Sequence, residues 1–263
     1  MKTIMKNALL GSAMTLATSA AIAAPITVAG VTWDPDQPFI DFAAQAAVYE
    51  TNVNNIGDNL YGIGKVSQFN GQNESSFCPS CQLTFEFGYT VSEIGDFDTN
   101  GTIDVIFTDG WLKFYVDSST SFDFTDASTA IDGTLFLELA GHEDFDPLLG
   151  KTGDLFGELD AGFALTDNNE EGEGSGLFDV VGGAAAANFD TNTKDDFFNE
   201  NVADFNFTSS FQPFSTGGVT NDGLALVGTS ELIGDSVPEP GMLALMGAGL
   251  LGFTAMRRRK NSI

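Results

Sequence analysis

The chain has 263 residues, with 37 acidic side chains against 10 basic ones and a formal net charge of −27. Setting aside Glu239 and the six bases that stand near the two ends leaves 36 acids against four lysines, a net charge of −32 on the central segment. A surface of that sign repels phosphate backbones and anionic headgroups, so nucleic acid is excluded as a partner. The 24 phenylalanines meanwhile supply a core that a disordered acidic tail would lack.

In chain order, the first element is a leader. Lys2 and Lys6 precede an apolar run of small residues, and Ala21-Ile22-Ala23 satisfies the small-x-small rule for cleavage. Residues 1–24 are therefore expected to be a signal peptide handled by the Sec export machinery, and are set aside from the fold. The expected mature domain is 25–236.

Within it, residues 39–53 are ambiguous. Their alanines suit a helix, while their neighbours suggest extended runs reaching Gly62-Ile63-Gly64-Lys65-Val66. The two cysteines follow, in Cys78-Pro79-Ser80-Cys81. An even count in an exported chain favours a Cys78–Cys81 disulfide that pins the turn before a strand starting at Leu83. A redox pair and half a zinc site are the alternatives. The first should open a helix, and the second finds only one histidine, His142, in the whole chain.

Residues 83–91 alternate large apolar and polar side chains, as a half-buried strand does. Next comes Asp96-Phe97-Asp98-Thr99-Asn100-Gly101-Thr102-Ile103-Asp104. Side-chain oxygens at Asp96, Asp98, Asn100 and Asp104 with glycine at the sixth place resemble the first nine positions of a calcium loop. Position 12 is Phe107, where such a loop needs a carboxylate, so Asp109 or a distant acid would have to complete the shell. The other reading is an Asn100-Gly101 type I′ hairpin. Both stay open, and Ca2+ is the one cofactor the sequence suggests.

Residues 102–108 and 111–117 read as two strands joined by a tight Asp109-Gly110 turn. Further strands are expected at 134–140, 157–165, 203–209 and 224–229, with His142 in an acidic turn and 166–176 as an exposed glycine-rich loop. Short strands separated by Gly, Asp and Asn turns point to an all-β fold, an antiparallel β-sandwich.

Catalytic signatures are missing. Gly172-Glu173-Gly174-Ser175-Gly176 has its serine one place off a nucleophile elbow, and no dinucleotide fingerprint stands. An enzyme is therefore not expected. A carboxylate-pair glycan hydrolase remains the weaker alternative, because two acids close in space suffice. A calcium-dependent glycan-binding module stacking sugars on Trp33, Trp111 or Tyr115 is the other alternative.

The last 27 residues, 237–263, carry the strongest signal. Pro238, Glu239 and Pro240 precede sixteen uncharged residues, 241–256, and then Arg257, Arg258, Arg259 and Lys260. As a helix that span measures about 24 Å, slightly short for a hydrocarbon core of about 30 Å. The basic cluster favours the cytoplasmic side. A transmembrane helix is expected there, a membrane intermediate before processing.

This tripartite end resembles the PEP-CTERM sorting signal. Weaker likeness to other ectodomains of that group lies in Cys81-Gln82-Leu83-Thr84-Phe85-Glu86-Phe87-Gly88, Phe189-Asp190-Thr191-Asn192 and the string opening at Asp204. The resemblance implies recognition by exosortase, a membrane-embedded transpeptidase, at Pro238, Glu239, Pro240 and the basic residues 257–260. It further implies delivery to the surface or exopolysaccharide matrix of a Gram-negative bacterium, with a structural or adhesive role there.

Overall fold

A computed structural model describes residues 25–35, 42–118, 122–159, 171–214 and 220–237. Pro25–Pro238 forms one compact unit. The leader, the Pro-Glu-Pro motif, the span 241–256 and the basic cluster lie outside the described residues.

The strands are β1 (Ile26–Val28), β2 (Val31–Trp33), β3 (Phe42–Thr51), β4 (Asn59–Phe69), β5 (Gln72–Asn73), β6 (Gln82–Gly95) and β7 (Ile103–Asp117). They continue as β8 (Thr134–His142), β9 (Asp144–Asp146), β10 (Lys151–Gly153), β11 (Leu155–Leu159), β12 (Gly172–Gly182), β13 (Phe205–Pro213) and β14 (Leu224–Gly234). Among the described residues there are also two one-turn helices, α1 (Glu74–Phe77) and α2 (Ala186–Phe189), and a 3-10 turn at Ala127–Ala130.

The all-β antiparallel fold expected from the sequence is present, and its sheet closes on itself as an eight-membered barrel. The order runs β12-β13-β14-β3-β4-β6-β7. The gap between β7 and β12 is filled by two short strands sharing one lane. β11 pairs Leu155–Leu159 with Phe107 to Ile103 on one side and with Gly176 to Gly172 on the other. β8 takes the rest of the lane, pairing with β7 from Trp111 to Val116 and with β12 from Leu177 to Gly182. Between them the chain steps out of the wall as the small β9–β10 hairpin. Closure leaves the barrel with no free edge to template aggregation.

Period-2 alternation sets the layers. Phe42, Ala44, Ala46, Val48 and Glu50 of β3 are buried, and Leu83, Phe85, Phe87, Tyr89 and Val91 of β6 point the same way, inward. Facing positions of β13, Asn206, Thr208 and Ser210, are exposed. One end of the barrel is sealed by rings. Phe42 lies 4.7 Å from Phe69, 4.8 Å from Phe189 and 5.0 Å from Phe205, and Trp33 lies 4.9 Å from Phe189. Such ring pairs add about 0.5–1.5 kcal/mol beyond the area they bury. Phe85 and Phe87 fit because Gly64 and Gly62 on β4 lie beneath their rings, where any Cβ would collide.

Three local points are decided by the structure. Within the segment left open between helix and extended runs, residues Phe42–Thr51 form a strand, because the alanines alternate between core and surface across the β14 and β4 ladders. Asp109-Gly110 does not turn the chain. Residues 103–117 form one strand, and Asp109 takes φ +54° as a bulge opposite Tyr89, so that Thr108 pairs with Thr90 and Trp111 with Gly88. Third, residues 172–176, expected in a loop, form the first half of β12. Their glycines allow close approach: a Cβ at Gly176 would strike the Asp154 carbonyl.

Candidate functional site

The Cys78–Cys81 disulfide forms, with Cα atoms 5.1 Å apart, and it closes the turn between α1 and β6. Both residues are buried, and the Cys81 sulfur packs against Gly30, so the bridge supports the N-terminal β1–β2 hairpin as well as the strand start.

The loop between β6 and β7 gathers three of the four expected cation ligands. One carboxylate oxygen each from Asp96, Asp98 and Asp104 lies within 4.8 Å of the others. Asp104 is 2% exposed, and its Oδ2 accepts the Phe97 N–H at 2.7 Å. Burial, with the charges of Asp98 and Glu158 added, pushes its carboxyl above the usual range despite that hydrogen bond. Asn100 takes a different part. Its Oδ1 accepts the Thr102 N–H at 2.8 Å and also the Thr102 hydroxyl, while Asp98 Oδ1 accepts the Asn100 N–H at 3.1 Å. These successive side-chain turns, with positive φ at Thr99 and Gly101, shape a longer loop than the two-residue Asn100-Gly101 hairpin.

Phe107 points into the core at 5% exposure, and Asp109 sits in the bulge beside Asp154. The acid that faces the cluster is Glu158, the cross-strand partner of Asp104, which also accepts from Asn100 Nδ2 at 3.4 Å. No local spacing announces Glu158, since the register of β11 against β7 is a long-range fact.

A surface cleft of about 300 Å³ opens beside this loop, lined by Asp98, Asp104, Asp146, Glu158, Glu173 and the hydroxyl of Thr208. It continues on the outer face of β12, β13, β14 and β3 into a shallow groove bearing Gln45, Ser210, Thr229 and Glu231. There Ser210 Oγ and Thr229 Oγ1 are 3.3 Å apart, and Gln45 donates to Glu231 at 3.2 Å. The surface thus offers carboxylates and uncharged hydrogen-bonding groups side by side, suited to hydroxyl-rich ligands.

Of the aromatic residues expected to stack sugars, Trp33 is excluded: it is 2% exposed within the ring cluster. Trp111 and Tyr115 are half-buried on the outer face of β7. Tyr115 donates to Glu86 at 2.9 Å, and Lys113 Nζ lies 5.7 Å from the Trp111 ring. All four lysines of the central segment are ion-paired: Lys65 with Glu74, Lys113 with Glu138, Lys151 with Glu93 and Lys194 with Asp235.

His142 ends β8 between two acids, Nδ1 lying 2.8 Å from Asp179 and Nε2 3.6 Å from Asp196. Burial works against its charge, but the two carboxylates outweigh it and hold the imidazole above its ordinary value.

Residues 236–260 match the family model of the PEP-CTERM protein-sorting motif. No curated protein and no solved structure matches the chain, so the likeness expected for the ectodomain strings finds no counterpart there. Among the described residues no helix is long and apolar enough to cross a membrane; the span 241–256 lies outside them. The motif makes this an exported, surface-directed protein with exosortase as its processing partner.

Proposed function

We propose that the sorted protein serves as a structural or adhesive component of the surface or exopolysaccharide matrix. The PEP-CTERM match at 236–260 carries this reading. Two features of the barrel support it. The closed wall gives a stable, edge-free body, and its outer face presents the polar groove of Gln45, Ser210, Thr229 and Glu231 over several strands. Hydroxyl and amide groups of that kind exchange hydrogen bonds with polysaccharide without needing a deep pocket. In this role the protein binds glycan rather than cleaving it.

The test removes residues 237–263 from the producing strain. The truncated protein should appear in soluble form and be lost from surface or matrix, and unchanged retention would overturn the sorting role. Substituting Pro238, Glu239 and Pro240 by alanine should leave a full-mass tail on the protein. Release of sugar from purified exopolysaccharide by the wild-type protein would replace the adhesive reading with the hydrolase.

A calcium-dependent glycan-binding module is the second reading. The convergence of Asp96, Asp98 and Asp104 at the rim of the acidic cleft favours it. A cation held there would sit where sugar hydroxyls could join its shell.

A further inference from the structure

The barrel interior is not filled to its second end. A cavity of about 40 Å³ remains there, walled by Phe87, Tyr89, Phe107, Phe207 and Phe211, with Glu50 among them. Glu50 is the one carboxylate on the inward face of β3, opposite Gly62 of β4 and Leu226 of β14. It is 4% exposed, and its Oε1 has no hydrogen-bond partner among the described residues. A buried, unmatched carboxyl oxygen costs about 1–3 kcal/mol, more when charged, so its presence in a mostly apolar wall calls for a ligand.

We propose that this end of the barrel is a binding site for a small organic ammonium ion, anchored by Glu50 and caged by the surrounding rings. The chemistry follows from the wall. Aromatic faces attract a cation most strongly where water is excluded. A single carboxylate supplies the counter-charge. Among the described residues no lysine or arginine lines the cavity. Tyr89 of β6 is the other titratable side chain facing inward; Glu173 of β12 borders the cavity but is exposed on the outer face, and β4, β7, β11, β13 and β14 contribute none among the described residues. The volume admits an ammonium bearing only a few heavy atoms, methylammonium being the natural probe.

Without such a cation, burial pushes the Glu50 carboxyl up to about 8, so at neutral pH it holds a proton. The ammonium ion pairs with the ionised form. Binding at pH 7 therefore releases close to one proton to the buffer, and affinity rises roughly tenfold between pH 7 and pH 9.

The experiment titrates the purified protein with methylammonium chloride, using sodium chloride at equal ionic strength and methanol as controls. The expected result is a saturable rise in melting temperature with methylammonium alone, larger at pH 9 than at pH 7, and absent in Glu50→Gln. No rise beyond that of sodium chloride, or an equal rise in Glu50→Gln, overturns the site. Should Glu50→Gln fail to fold, calorimetry of the wild-type protein in two buffers of different ionisation heat decides. Release of close to one proton per ligand at pH 7 supports the site, and its absence sinks it.

Discussion

Asp154 joins the two halves of the divided lane through Gly110: its Oδ2 accepts the Gly110 N–H at 2.8 Å, while its own N–H donates to the Phe107 carbonyl at 2.8 Å. Gly110 follows the bulge at Asp109, at the point where β7 exchanges β11 for β8 and neither short strand pairs with it. A side chain thus replaces the missing ladder bond. Burial raises the Asp154 carboxyl above its usual range, the Gly110 N–H opposing. Asp154→Ala should cost about 1–3 kcal/mol by leaving that N–H unmatched. Asp154→Asn keeps an acceptor and should fall much closer to wild type. Urea midpoints of the two variants check this, and equal losses would refute it.

Glu50 makes stability pH-dependent in a defined direction. Its folded value is about 8 against an ordinary 4.5, so the folded state holds the proton longer than the unfolded chain. The associated stability is full below about pH 4.5 and is lost as pH rises toward 8, at up to about 1.4 kcal/mol per pH unit. Glu50→Gln should remove this slope. The difference in unfolding free energy between the two proteins should therefore grow with pH from 5 to 8 and then level off. A constant difference would show that Glu50 titrates normally.

His142 is the sole histidine, so its ring signals in a proton NMR titration are unambiguous. The midpoint should lie above 6.5, because Asp179 and Asp196 outweigh burial. The ion pair stabilises the fold fully below the unfolded value near 6.5, and its contribution fades as pH climbs through the folded one. Asp179→Asn should lower the midpoint; no change would remove Asp179 from the account.

Calcium at millimolar levels should raise the melting temperature of the wild-type protein. At ten times its dissociation constant the gain is about 1.4 kcal/mol. Asp96→Ala with Asp98→Ala should abolish the rise, and Glu158→Gln should weaken it if that acid completes the shell. Asn100→Ala should disturb the loop without removing a ligand, since its oxygen serves Thr102. A melting temperature indifferent to calcium dismisses the site.

The sequence exposed what local periodicity controls. The alternation in Leu83 to Val91 placed β6, and the even cysteine count placed the Cys78–Cys81 bridge at its start. What it hid depends on distant partners. Asp109-Gly110 has the composition of a turn, yet Tyr89 and Asp154 make it a bulge. Residues 172–176 have the composition of a loop, yet β11 and β13 on either side make them a strand. Glu158 joins the acidic cluster only through the pairing of β11 with β7. Glu50 was invisible for a simpler reason: among 36 acids of the central segment, nothing local distinguishes the one that faces inward.

The β9–β10 excursion leaves the wall after His142 and re-enters the same lane at Leu155, with Asp154 bridging the seam. Its outward tip, where Leu148 is 81% exposed, bears no hoop tension from the staves on either side. The molecule therefore possesses a natural splice port. Foreign peptides or whole display modules could be grafted between residues 146 and 151 while the hoop stays shut, turning a secreted scaffold into a carrier for cargo chosen by the experimenter.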